Sequence, residues 1–156
     1  MSSANVRKTI LLSATMACIA REELATVAVV PGMLLARTAG GVAPHAAAAG
    51  TANLHFAVED GAQGRTIDDS YAIDDTVHFA TVPAGAGVNA LVAAAAAAIV
   101  KGDKLVSNGD GTLKKLVAAA GGTVIAEALE AVDNSVGATR ARIAVEVMPA
   151  AYVAPV

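Results

Sequence analysis

The run Lys104-Leu105-Val106-Ser107-Asn108-Gly109-Asp110-Gly111-Thr112-Leu113-Lys114 decides the fold class. It sets Asn-Gly, the dipeptide that reaches the positive φ angles of a tight hairpin turn, between two short strand-like stretches. Lys101-Gly102-Asp103 before it and Gly109-Asp110-Gly111 within it are turn punctuation, not phosphate chemistry. A second unit has the same plan. It runs from Ile125 to Val132, breaks at Asp133-Asn134-Ser135-Val136-Gly137 and returns as Arg140-Ala141-Arg142-Ile143-Ala144-Val145-Glu146-Val147. Two successive hairpins predict a mainly β chain.

Working outward, Asn53–Val58 and Thr76–Val82 alternate as strands do, Thr26–Val30 is β-branched and apolar, and Pro31-Gly32 marks a turn. Ala39 to Gly50 is a loop rich in Gly and Ala. Within residues 88–98 the six alanines carry the highest helix propensity available. The expected architecture is a compact β-barrel or β-tulip-like domain with one short Ala-rich helix and an extended N-terminal arm. The arm spans residues 1–22 and a single β-rich domain spans 23–156, with no linker or strong repeat between them.

These segments also carry a family likeness. Ala96, Ile99, Lys101-Gly102-Asp103, Leu105, Ser107 and Gly109-Asp110-Gly111-Thr112-Leu113 are followed by Ile125-Ala126, Ala128-Leu129-Glu130-Ala131-Val132-Asp133-Asn134-Ser135 and Gly137. Ala141-Arg142-Ile143, then Val145-Glu146-Val147, close the series. In this order, from about Pro31 to Val147, the chain resembles the capsid cement (head decoration) proteins of tailed bacteriophages. The resemblance implies a non-enzymatic structural subunit, usually a homotrimer, made in the bacterial host cytoplasm. It would clamp neighbouring major capsid proteins on the exterior of the virion. The partners it implies are the major capsid protein and further copies of the chain.

Composition is compatible with this. A chain of 156 residues is one domain by length. It is 55% hydrophobic, yet has two Phe, two Tyr, no Trp and about a quarter Ala, so its core is built from small side chains. Each buries little area, and an isolated subunit stands to gain from assembly at roughly 25 cal/mol per Å² covered. A net charge of −3 supplies no basic field for nucleic acid or an anionic membrane. Val82 to Val100 is free of charge, but Pro83, Gly85, Gly87 and Asn89 interrupt it, so it does not read as a membrane span. Cys18 is the only cysteine, leaving no intramolecular disulfide and no Cys-based zinc site.

Competing signals are weaker. Gly85-Ala86-Gly87-Val88-Asn89-Ala90 matches the permissive dinucleotide fingerprint, with Asp103 or Asp110 at about the spacing of a ribose-binding acid. The alternative reading is thus a small nucleotide-binding domain. Such a fold needs further βαβ units, and hairpins follow instead. Arg7-Lys8 before Thr9–Ala20 resembles a secretory signal, although Leu is missing three residues before Cys18. Glu59-Asp60, Asp68-Asp69 and Asp74-Asp75 lack the spacing of a calcium loop, and His45, His55 and His78 lack metal-type spacing. Surface positions on paired strands are expected for these histidines. No serine-hydrolase or Walker motif occurs, so no catalytic, cofactor or metal residue is assigned.

The binding residues expected are Val6, Lys8, Ile10, Leu11 and Leu12 in the arm, and Tyr152 and Val153 in the apolar tail. Ile10-Leu11-Leu12 is too short to fold alone. The arm, from Val6 to Ala20, is therefore expected to dock across subunit boundaries as an added strand, with Ile10 and Leu12 on one face and Leu11 on the other.

Overall fold

The computed structural model describes residues 7–13 and 17–156. Ten strands occur among them: β1 (Ile19–Leu24), β2 (Leu34–Thr38), β3 (Gly41–Pro44), β4 (His55–Ala57), β5 (Thr76–Thr81), β6 (Gly87–Val92), β7 (Lys104–Ser107), β8 (Leu113–Lys115), β9 (Gly122–Ala128) and β10 (Ala141–Val153). They form a five-stranded sheet in the order β1-β5-β4-β2-β3 and a closed barrel in the order β10-β6-β8-β7-β9. The fold is mainly β, as the hairpin pattern predicts.

Both C-terminal hairpins are present and antiparallel. β7 pairs with β8 through Ser107↔Leu113, and β9 pairs with β10 through Val145↔Ala128 and Val147↔Ala126. The first turn is longer than Asn-Gly alone suggests. Asn108 N donates to Thr112 O at 2.9 Å, closing a five-residue loop, and Asp110 Oδ1 caps it by accepting from Thr112 N at 3.0 Å. Within this loop Gly111 bonds the other sheet: its carbonyl accepts from Leu34 N at 2.8 Å and its N–H donates to His45 O at 3.1 Å. The loop is a joint between sheet and barrel, not a free hairpin tip.

Neighbouring residues on β2, β4 and β5 bury opposite faces, as a period of two requires. Leu34, Phe56 and Ala80 join Val88, Ala90, Val92, Leu105, Leu113, Ile125, Ile143 and Val145 in the barrel core. Leu35, Ala57 and Phe79 belong to a second core with Val29, Met33, Val42, Tyr71 and Val77. The middle of the sheet is thus shared between two cores. Arg142 on β10 ties them: its guanidinium donates to Pro31 O at 2.8 Å and to Ile67 O, and lies 3.8 Å from Asp68. Burial lowers its pKa, which is set against the nearby Asp68 and Glu59 charges.

The Ala-rich helix is not formed. After β6, residues 93–98 run through a turn and extended backbone, with Ala95 in the left-handed region at φ 51°. Ala93 N donates to Leu113 O at 3.1 Å, Ala95 N to Gly137 O at 3.0 Å, and Asn134 Nδ2 to Ala93 O at 2.9 Å. Six alanines are too few to repay helix nucleation. Tertiary hydrogen bonds and the burial of Ala93 and Ala96 in the barrel core claim the backbone instead. Among the described residues there is no α-helix; Gly61–Gln63 forms a 3₁₀ turn, capped by Asp60 accepting from Gln63 N.

The strand boundaries also move near the N-terminus. β1 begins at Ile19, inside the segment read as the arm, and pairs along its length with β5, from Ile19↔Thr81 to Leu24↔Thr76. Thr26–Val30 is not a strand; Val29 makes a single bridge to Tyr71.

Candidate docking surface

The glycine pattern at residues 85–90 has lost its structural context. Gly85 lies in the turn closed by Ala86 N to Pro83 O at 3.2 Å, and Gly87 opens β6, which is buried along its whole length and followed by no helix. No helix N-terminus is there to receive a pyrophosphate.

The histidines are tied into the fold more tightly than surface positions would be. His55 is buried because β4 is the central strand of its sheet; its Nδ1 lies 3.0 Å from Thr81 Oγ1, and its ring meets Phe79 edge-on at 5.5 Å. Burial, together with Arg37 and Arg21, lowers its pKa and favours the neutral ring. His45 is also buried, with Nδ1 2.8 Å from Ser107 Oγ and Nε2 3.0 Å from Thr51 O. That spacing is one a nucleophile and its base would need. Ser107 is fully buried, however, and a backbone carbonyl stands where an orienting carboxylate would, so the pair ties a loop to β7. His78 is half-buried, 3.4 Å from Glu22 and 3.5 Å from Asp60. Among the described residues no group of three or more His, Cys, Asp or Glu could hold a metal ion, and no helix is long and apolar enough to cross a membrane.

The arm residues divide. Val6 lies outside the described residues. Lys8 is exposed. Ile10 is fully buried in the barrel core of its own chain. Leu11 bridges Val88 and packs on that same core, and Leu12 is half-buried with its N–H donating to Gly87 O at 2.9 Å. Strand addition is present, then, but within one chain. The stretch of β6 ahead of its single pair with β8, Val92↔Leu113, supplies the pairing, and the barrel core buries Ile10.

Tyr152 and Val153 are exposed, at 69% and 38%. They lie where β10 runs past β6 and keeps only β9 beside it, through Tyr152↔Thr123 and Val153↔Gly122. The tail then folds back, with Val156 N donating to Ala118 O at 3.2 Å. Val117, 59% exposed, and Ala118 to Ala120 complete that rim. The loop Ala46–Ala48, also exposed, joins it through Ala49, whose carbonyl accepts from Thr123 N at 2.8 Å. Three segments distant in sequence thus form one pole of the barrel. No Asp, Glu, Lys or Arg occurs in residues 45–54, 116–126 or 147–156. Sequence reading found only the tail. The charge-free runs 45–54 and 116–126 were the signals for the other two segments.

Exposed and small, with Tyr152 the one large side chain and no charged side chain, these three segments have the composition of an interface core, where charge is depleted and aromatics are enriched; the exposed Asp110 of the neighbouring Asn108–Thr112 loop borders them. Many of the other carboxylates and cations are paired, as Arg37 with Glu23 at 2.6 Å, Arg65 with Asp75 at 3.5 Å and Lys115 with Asp103 at 2.8 Å. No protein-family model and no curated protein sequence matches this chain.

Proposed function

We propose that the chain is a structural cement subunit that binds the outside of a bacteriophage shell and bridges neighbouring major capsid proteins, acting as a homotrimer. The observation that carries this reading is the surface built from Ala46–Ala48, Val117–Ala120 and Tyr152–Val156, three exposed segments without a charged side chain, on a β scaffold whose buried polar groups serve the fold. The motif order shared with capsid cement proteins supports it from the sequence side. Covering small apolar surface is worth roughly 25 cal/mol per Å², and repetition over a shell multiplies a weak single contact. The test is sedimentation: the chain, produced together with the phage particles it would decorate, should pellet with icosahedral shells and show threefold density on them. A chain that stays in the supernatant, or that binds as a monomer, contradicts the reading.

A further inference from the structure

The arm does more than rest on the barrel; it occupies a seat shaped for it. Asn89 N donates to Ile10 O at 2.8 Å, Leu12 N to Gly87 O at 2.9 Å, and Gly87 N to Ser13 Oγ at 2.7 Å. Ile10 N donates to a Glu59 carboxylate oxygen at 3.1 Å, while the Arg7 guanidinium forks onto both oxygens of Glu130 at 2.7 and 2.9 Å. Arg7 and the backbone N–H of Ala144 lower the Glu130 pKa against the effect of burial. A Cβ at position 87 would stand 3.0 Å from Ser13 Oγ and 3.3 Å from Leu12 Cβ, so glycine is what allows the arm this close.

The seat therefore reads a pattern: a guanidinium at Glu130, an isobutyl-sized apolar side chain three residues on, and a hydroxyl at the Gly87 N–H three residues after that. The arm carries that pattern as Arg7, Ile10 and Ser13. Every hydrogen-bonding group that receives it lies at residue 59 or later, beyond β1 in the chain. The same segment of another copy would make the same contacts, and only the path of that connection would change. Exchange of an identical element costs little for this reason, and local concentration decides between closed and exchanged forms.

We propose that the seat on β6 is an acceptor for the Arg7–Ser13 strand of a second copy, so that assembled copies are linked by exchanged arms. This does not depend on the shell reading above. Leu11 and Val88 face each other between the Asn89-to-Ile10 and Leu12-to-Gly87 bonds, which makes them a non-hydrogen-bonded antiparallel pair with Cα atoms about 4.5 Å apart, inside disulfide range. Two full-length variants, Leu11→Cys and Val88→Cys, each also carrying Cys18→Ser, are mixed at high concentration and oxidised. A disulfide-linked pair containing one of each is the expected product, and neither variant alone should give it. A second mixture leaves the core untouched: Arg7→Glu with Glu130→Arg. Each variant alone opposes like charges in its own seat, whereas opposite charges meet only between the two chains. Native mass spectrometry should then show a mixed pair at twice the single-chain mass. Failure of both mixtures to give a mixed pair, with the Leu11→Cys/Val88→Cys double variant closing its disulfide within one chain, overturns the proposal.

Discussion

At the residue scale, Gly111 shows how a turn signal becomes a tertiary joint. Its φ is +81°, and a Cβ there would lie 2.8 Å from Pro44 Cβ and 3.1 Å from Met33 Cγ. Gly111→Ala combines a left-handed backbone penalty with overpacking, and should cost about 2–4 kcal/mol in urea unfolding. Gly102 is the control: at φ +91° with nothing within 4 Å of its Cβ position, Gly102→Ala should cost only about 1 kcal/mol. His55 supplies a pH prediction. Its folded pKa lies below the ordinary 6.5, so between the folded and unfolded values the unfolded chain binds more protons and stability rises with pH. The contribution is complete above about pH 6.5 and is lost as pH falls below it. The lowered carboxyls of Asp103 and Glu130 act in a separate window, losing their contribution only as pH falls below their ordinary 3.8 and 4.5. Thermal midpoints measured between pH 7 and pH 5 should fall for the parent chain and flatten in His55→Gln.

At the element scale, the arm and the alanine run are the two places where local reading and fold diverge. Ile10 reads in sequence as part of a strand or extended clamp docked across subunit boundaries because Ile10-Leu11-Leu12 is too short to fold alone; in this chain it is a plug in the chain's own barrel core. Ile10→Ala should therefore destabilise the chain by about 2–4 kcal/mol in urea melts followed by circular dichroism, the range for truncating a buried isoleucine. An unchanged midpoint would return the arm to the surface. The alanines failed as a helix for the complementary reason. Propensity is worth tenths of a kcal/mol per residue, and the bonds from Ala93 to Leu113 and Ala95 to Gly137, with two alanines buried, outweigh it.

At the scale of the whole molecule, two cores share the middle of one sheet, Arg142 and the Asn108–Thr112 loop join them, and three segments without charged side chains meet at one pole of the barrel. Tyr152 and Val117 stand on that pole with most of their surface in solvent. Tyr152→Glu and Val117→Glu should each shift stability by no more than about 0.5 kcal/mol, as exposed substitutions do. On the proposed function, the pair combined should reduce sedimentation with shells by about tenfold or more, because charge would be buried in the contact. Unchanged sedimentation would move the docking surface elsewhere on the molecule.

The sequence by itself determined the fold class and most of the strands. Asn108-Gly109, Asp133–Gly137 and the alternation at residues 53–58 and 76–82 are local signals, and β4, β5 and β7 to β10 follow from them. It also exposed the tail, since an uncharged terminus needs no long-range information to be noticed. Only the tertiary structure decided that β1 begins at Ile19, that His45 and His55 are buried, that Ile10 fills the barrel, and that Ala46–Ala48 and Val117–Ala120 stand beside Tyr152. The reason is common to all four: each depends on a partner between about 20 and 80 residues away, and neither periodicity nor propensity carries information over that distance.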